Sequence, residues 1–85
     1  MPDKNLLITK NADKKISRLP LQIQTKIDKA FGRLQKNPTS GIKLHGELKD
    51  YYKLRLGDYR IIYTFNPEKS LIIIITIEHR QGVYK

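Results

Sequence analysis

Residues 51 to 63 of this 85-residue chain are Tyr51-Tyr52-Lys53-Leu54-Arg55-Leu56-Gly57-Asp58-Tyr59-Arg60-Ile61-Ile62-Tyr63. Basic and aromatic side chains alternate with apolar ones on both sides of Gly57-Asp58, a pair typical of tight turns. Successive side chains of a strand point to opposite faces. The pattern therefore predicts a hairpin whose first strand places Tyr51, Lys53 and Arg55 on one face, and Tyr52, Leu54 and Leu56 on the other.

Two more strands are predicted around this hairpin, whose second strand extends to Asn66. The run Leu71-Ile72-Ile73-Ile74-Ile75, continuing to Ile77, is aliphatic at nearly every position, as in an interior strand covered on both faces. The short turn 66–69 makes it the third strand of an antiparallel meander. Residues Asn5 to Thr9 are expected to form a first strand beside it.

The segment between the first strand and the hairpin predicts two helices. Asn11 is expected to cap the first, whose apolar residues fall on one side. Pro20 ends that helix and starts the second, which continues to Asn37-Pro38. The apolar positions with helical spacing are Ala12, Ile16 and Leu19 in the first helix, and Ile23, Ile27, Ala30, Phe31 and Leu34 in the second.

These elements predict a single α+β domain over residues 1–85. An N-terminal strand and a helical hairpin pack on a four-stranded, mainly antiparallel sheet, and residues 51–56, 59–66 and 71–77 supply its meander. Tyr59, Tyr63 and Phe65 share a parity and are assigned to the core under the helices. Residues 39–50 carry two glycines and no clear period, so they are expected to form a surface loop.

The amino-acid composition indicates which classes of partner the chain is expected to bind. The chain has 17 Lys and Arg against 8 Asp and Glu, a formal charge of +9, which favours nucleic acid, an anionic membrane or an acidic protein. The longest mainly apolar run, 71–77, is far shorter than the roughly 20 residues of a membrane-spanning helix. The N-terminus lacks the apolar length of a signal peptide, so we expect a cytoplasmic protein with no membrane partner.

Several kinds of catalytic site are excluded. The chain has no cysteine, two histidines and no glycine-rich phosphate loop, so neither a metal nor a cofactor is expected. The candidate site residues that remain are mainly cations. The hairpin turn brings Arg55 towards Arg60, with Lys53 on the same face, and the end of the third strand brings Arg80 near Arg60. Such cations repel one another unless an anion lies among them; a solvated basic strand face is the alternative.

RNA is a suitable substrate for a site made of cations, because its 2′-hydroxyl is an internal nucleophile beside the scissile phosphate. Cleavage needs a base, cations on the phosphate and an acid for the leaving oxygen. A lysine serves as base only if its pKa falls from about 10.4 toward 7. His79 is a further acid or base, or a structural histidine. Tyr84 is expected either to stack on a nucleobase of the RNA or to assist proton transfer. The alternative is that it docks on the sheet.

The chain resembles the RelE/ParE superfamily of toxins from bacterial and archaeal toxin–antitoxin pairs. The resemblance covers nearly the whole length and rests on the helical hairpin, Lys43-Leu44-His45-Gly46, the run from Tyr52 to Tyr63, His79-Arg80 and Val83-Tyr84. It implies a RelE-like microbial RNase fold. For the RelE branch it also implies ribosome-dependent cleavage of messenger RNA in the A site by attack of the 2′-hydroxyl.

The resemblance also assigns roles. Lys53 matches a lysine implicated in proton abstraction, Arg60 an arginine that stabilises the transition state, and Arg80 an arginine near the leaving group. Tyr84 matches a tyrosine that stacks on the substrate base. Where RelE has a second lysine, this chain has Arg55, which leaves Lys53 or His79 as the base. Residues expected to bind the substrate are Lys49, Tyr51 and His79.

The family implies a cognate antitoxin, RelB-like and acidic or amphipathic, in a toxin–antitoxin hetero-oligomer. A basic site is a suitable target for such a partner. Two other functions remain open: a ParE-like toxin that inhibits DNA gyrase without nuclease activity, and a plain RNA-binding module. The combination of Lys53, Arg60, Arg80 and Tyr84 favours the nuclease.

Overall fold

A computed structural model of the chain describes residues 4–44, 46 and 50–79. Strand β1 is followed by two helices, a two-residue strand and the meander. The elements are β1 (Asn5–Ile8), α1 (Lys10–Ser17), α2 (Leu21–Lys36), β2 (Ile42–Lys43), β3 (Tyr51–Leu56), β4 (Tyr59–Asn66) and β5 (Leu71–His79).

The strands form one sheet in the order β1-β5-β4-β3-β2. β1 runs parallel to β5, whereas the other neighbours are antiparallel. The predicted α+β class, the meander and the position of the first strand beside the aliphatic strand are confirmed. The aliphatic strand is also interior, as its composition indicated.

The prediction of four strands is wrong by one, because β2 lies within the predicted loop 39–50. Ile42 pairs with Lys53 and Lys43 with Tyr52, and the Leu44 amide donates to the Tyr51 carbonyl at 2.9 Å. A strand of two residues is too short to show an alternating pattern. Only its partner strand reveals it.

The predicted cap of the first helix is also wrong. The N-cap is Thr9, whose hydroxyl accepts from the Ala12 amide at 3.2 Å and donates to the Ile75 carbonyl at 2.8 Å. β1 therefore ends at Ile8 and Asn11 lies inside α1. The second helix begins directly after Pro20 and ends before Asn37, as predicted.

The core lies between the helices and one face of the sheet. Both helices contribute to it, and every apolar position predicted from helical spacing is buried or packs against buried residues. Tyr63 is completely buried, and Tyr59 and Phe65 pack against the buried cluster, which confirms their assignment. The buried side chains are Ala12, Ile27, Ala30, Phe31, Leu34, Ile61, Tyr63, Ile72, Ile74 and Ile77.

The β3–β4 hairpin fixes the position of the basic residues. Gly57 has φ of 63°, the left-handed backbone that a two-residue hairpin turn requires and glycine adopts without strain. Leu54 then lies opposite Ile61 on the core side. Within the described part of the chain, no helix combines the length and apolarity needed to cross a membrane.

Candidate functional site

The side chains of the hairpin that do not enter the core form a basic and aromatic surface. Arg55 of β3 lies directly opposite Arg60 of β4, and Cβ atoms of directly opposed residues are about 4.5 to 5.5 Å apart. Tyr51 and Lys53 share the parity of Arg55 along β3. We call the surface formed by Tyr51, Lys53, Arg55 and Arg60 the strand face. The predicted approach of Arg55 to Arg60 is confirmed.

The strand face is accessible to a ligand but partly embedded. Arg55 is exposed, whereas Tyr51, Lys53 and Arg60 are partly buried. Tyr51 lies opposite Thr64, and Lys53 lies between Ile42 and Ile62. The cations therefore concentrate near the Gly57 turn, with the tyrosine ring at the far end of β3. This arrangement can bind a phosphate at one end and stack a base at the other.

A β-bulge in β5 decides which side chains join this surface. Tyr63 pairs with Ile74 and Ile62 with Thr76, so Ile75 has no partner across the ladder. The extra residue reverses the alternation for the rest of β5. As a result Glu78 lies opposite Arg60, where a register without the bulge would place Ile77.

Glu78 is a residue of the site that the sequence analysis missed. With Arg55 and Arg60 it forms a row across three strands. A carboxylate directly opposite an arginine reduces the mutual repulsion of the cations, so the protein itself supplies an anion. Glu78 precedes Arg80 by two residues, but only the bulge could have placed it in this row.

His79 lies on the opposite face from Arg60. Its ring packs edge-on against Tyr59, with ring centroids 4.8 Å apart and an interplanar angle of 71°. Both rings line a groove of about 410 Å³ on the helix side of the sheet, together with Lys15 and Arg18 of α1. The structure therefore does not bring His79 to the strand face.

The other predicted site residues, Lys49, Arg80 and Tyr84, lie outside the described residues, as do His45 and Glu47. Among residues 4–44, 46 and 50–79, no group of three His, Cys, Asp or Glu side chains is placed to hold a metal ion.

Tyr63 fixes the backbone next to Lys53. Its hydroxyl donates to the Pro38 carbonyl at 2.8 Å and accepts from the Gly41 amide at 3.0 Å. Burial raises the pKa of Tyr63 above its ordinary value of 10.0. Its ring stacks on Tyr52, with centroids 5.2 Å apart. A tyrosine in a core position needs a partner for its hydroxyl, so the parity that assigns Tyr63 to the core also indicates a hydrogen bond there.

Gly41 is packed tightly in this cluster. A Cβ atom at Gly41 would lie 2.6 Å from the Tyr63 hydroxyl and 2.8 Å from the Lys53 carbonyl oxygen. The segment that leads into β2 therefore contacts the backbone of Lys53 directly. We call Pro38, Gly41 and Tyr63 the tyrosine clamp.

Comparisons with known proteins place this architecture among toxins. A family model described as the ParE toxin of the type II toxin-antitoxin system parDE matches residues 6–84. Toxin RelG of Mycobacterium tuberculosis is 30% identical over 79 residues, covering 91% of each chain. Toxin RelE of the same organism is 31% identical over 83 residues, covering 95% of this chain and 86% of the relative.

Solved structures of toxin–antitoxin complexes contain chains with the same fold. The toxin of the RelBE2 toxin-antitoxin complex of M. tuberculosis superposes with a TM-score of 0.82 at 29% identity, covering 92% of this chain and 99% of that one. The archaeal RelE–RelB complex of Pyrococcus horikoshii gives the same TM-score and identity, with 92% and 96% covered. The shared architecture extends over nearly the full length of each chain.

Proposed function

The chain belongs to the ParE toxin family of type II toxin-antitoxin systems, and we propose that it is a ribosome-dependent endoribonuclease that cleaves messenger RNA and so inhibits translation. The observation that carries this proposal is the register that sets Arg55 opposite Arg60 with Lys53 on the same face. Similarity to toxins named RelE and RelG supports the nuclease branch.

The reaction uses the substrate's own nucleophile, so it requires no metal. The 2′-oxygen attacks the adjacent phosphorus, its proton passes to a base, and the bond from phosphorus to the 5′-oxygen breaks. The 5′-oxygen takes up a proton, which leaves a 2′,3′-cyclic phosphate and a 5′-hydroxyl. Negative charge accumulates on the phosphate oxygens as the new bond forms, and preorganised cations stabilise that charge.

The described residues divide these tasks. Arg55 and Arg60 bind the phosphate, because arginine stays protonated and presents a planar fork of donors to its oxygens. Lys53 accepts the 2′ proton from a position two residues along the same face. Tyr51, at the far end of β3, stacks on a neighbouring base. The family resemblance adds Arg80 at the leaving oxygen and Tyr84 on the substrate base.

A second part of the proposal concerns the partner. The similar structures of M. tuberculosis and P. horikoshii are complexes of a toxin with RelB-type antitoxins. We infer that a RelB-like antitoxin, acidic or amphipathic, binds this chain and forms a hetero-oligomer with it. A formal charge of +9 favours such a partner, because complementary charge accelerates association and selects against other partners.

One alternative function has a specific observation in its favour. The family model that matches residues 6–84 is that of the ParE toxins, and the ParE branch contains inhibitors of DNA gyrase. A gyrase inhibitor has no need for a lysine and two arginines arranged around a phosphate. The two functions therefore respond differently when these cations are removed.

Lys53→Ala and Arg60→Ala test the proposal, with Lys69→Ala as the matched control. Lys69 is an exposed cation in the turn between β4 and β5, away from the strand face. We expect each strand-face variant to reduce messenger cleavage by roughly 10²-fold or more and to abolish growth inhibition, with thermal unfolding unchanged. The control should remain toxic.

Variants that lose the cations and still arrest growth would contradict the nuclease. Inhibition of DNA supercoiling by purified gyrase, equal in wild type and variants, would then establish the ParE-like alternative. A wild-type chain that binds RNA but neither cleaves it nor arrests growth would leave only a plain RNA-binding module.

A further inference from the structure

Helix α2 carries a row of cations that the proposed reaction does not use. Lys26, Lys29, Arg33 and Lys36 follow one another at spacings of three, four and three residues, and all four are exposed. We call them the helix stripe. At 3.6 residues per turn they fall within an arc of about 80° on the helix surface.

Among the residues that the structure describes, no acidic side chain pairs with the stripe. Asp28, the one acid in α2, lies about 120° around the helix from the centre of the stripe. None of the four cationic side chains forms an ion pair or a hydrogen bond with another described residue. Cations that stabilise a helix are found in its last turn, whereas these extend over three turns.

A glycine lies within the helix beside the stripe. Gly32 lies in the interior of α2, where glycine is less favourable than alanine because of its backbone entropy. A Cβ atom there would meet nothing within 4 Å, so packing does not require the glycine. With Lys29, Arg33 and Lys36, Gly32 lines a shallow depression of about 280 Å³. Its missing side chain leaves the helix backbone open to close approach by a ligand.

The stripe and the strand face lie on two sides of the molecule. Ile27, Ala30, Phe31 and Leu34 bury the inner side of α2 in the core, so the sheet stands between the stripe and the strand face. The shortest extent of the Cα positions is 21 Å. A ligand confined to the strand face therefore does not contact the stripe.

We propose that the helix stripe, with the depression at Gly32, is a second RNA-binding surface that contacts the phosphate backbone of a folded RNA. This inference rests on the proposed nuclease function and deepens it. Cations on both sides of the sheet fit a cleft between RNA elements, where the messenger meets the strand face and structured RNA meets α2. Backbone contacts of this kind position a protein without reading sequence.

The test compares two triple variants with the same loss of charge. The stripe variant carries Lys29→Gln, Arg33→Gln and Lys36→Gln; the control carries Lys10→Gln, Lys14→Gln and Lys69→Gln, also at exposed positions. Dissociation constants are measured for purified ribosomes programmed with messenger and for a short single-stranded RNA, across a range of salt concentrations. Thermal unfolding checks that both variants fold.

We expect the stripe variant to bind programmed ribosomes at least tenfold more weakly than the control variant does near 0.15 M salt. Both variants should bind the short RNA with the same affinity. The slope of log K against log salt should fall by about 2 to 3 in magnitude, since each lost phosphate contact contributes roughly 0.7 to 0.9. Equal ribosome affinities of the two triple variants would overturn the inference, even if the wild type cleaves messenger. If the wild type neither cleaves messenger nor binds ribosomes, the proposed function fails, and this inference with it.

Gly32→Ala is a second test whose two readouts move in opposite directions. Alanine should raise Tm, because it favours the helix and meets no neighbour. The added methyl group should weaken ribosome binding several-fold, because it occupies the depression. Ribosome affinity that stays unchanged or improves would overturn the role assigned to Gly32.

Discussion

At the scale of single residues, Tyr63 connects the core to the candidate site. Its ring packs among buried side chains, while its hydroxyl holds the segment from Pro38 to Gly41 against β3 beside Lys53. A phenylalanine would fill the same volume without the two hydrogen bonds. The stability and the geometry of the site therefore depend on one hydroxyl group.

Tyr63→Phe leaves the Pro38 carbonyl and the Gly41 amide without their buried partner. We expect the free energy of unfolding to fall by about 1 to 3 kcal/mol, the cost of buried polar groups that lose their hydrogen bond. Urea unfolding of both proteins measures the difference. A loss below about 0.5 kcal/mol, the lower end for one hydrogen bond, would show that water replaces the clamp.

The same variant predicts a difference at alkaline pH. Burial raises the pKa of Tyr63 above 10.0 in the folded state, so above pH 10 the unfolded chain loses this proton first. The contribution is fully present below pH 10 and is lost as pH rises through the folded pKa. We expect wild type to lose stability above pH 10 more steeply than Tyr63→Phe; parallel curves would contradict this.

Gly41→Ala should displace the backbone at Lys53. The new Cβ would lie 2.8 Å from the Lys53 carbonyl oxygen, and overpacking of this kind costs about 1 to 3 kcal/mol. We expect lower Tm and lower cleavage activity. For Tm alone, Gly32→Ala is the matched control, because its Cβ meets nothing within 4 Å and its Tm should rise. Unchanged Tm and cleavage in Gly41→Ala would argue against the tight contact.

Alternation along the β3–β4 hairpin correctly predicted the strand face, because both strands are regular and the turn fixes their register. The candidate residue His79 does not reach the strand face, because the bulge at Ile75 places Glu78 opposite Arg60 and His79 opposite Tyr59. Nothing in five consecutive aliphatic residues marks which of them is the extra one. The error therefore arises from the sheet and not from the residue types.

At the scale of elements, helical and strand periods predicted the two helices, the meander and a first strand beside β5; the structure adds that β1 runs parallel to β5. The boundary between β1 and α1 was misplaced, because Thr9 and Asn11 are both good caps and the choice depends on a distant strand. Thr9 is selected because its hydroxyl also reaches the Ile75 carbonyl in β5. β2 was not predicted, because it too depends on residues distant in the sequence, namely its partner strand β3 and the tyrosine clamp.

Thr9→Ala removes both the cap of α1 and its link to β5. We expect a loss of about 1 to 2 kcal/mol in the free energy of unfolding, at the upper end for an N-cap. Thr9→Ser keeps the hydroxyl and is the control, with most of the stability retained. If alanine and serine behave alike in thermal unfolding, the hydroxyl has no role in joining helix and sheet.

At the scale of the whole molecule, positive charge is distributed over two sides of one sheet. The strand face suits a phosphate and an unstacked base, and the helix stripe suits the backbone of folded RNA. A net charge of +9 and a sheet that separates the two surfaces are consistent with a protein that works inside an RNA assembly. Composition predicts a polyanionic partner, whereas the distribution of charge over two sides follows only from the packing of α2.

The central claim is that the strand face cleaves messenger RNA during translation. The most direct test adds the purified protein to a cell-free translation reaction and maps the 5′ ends of the messenger by primer extension, with and without active ribosomes. We predict discrete cuts within codons that appear only during translation and disappear with Arg60→Ala. A messenger that stays intact while wild-type protein is present would contradict the account and favour the gyrase inhibitor.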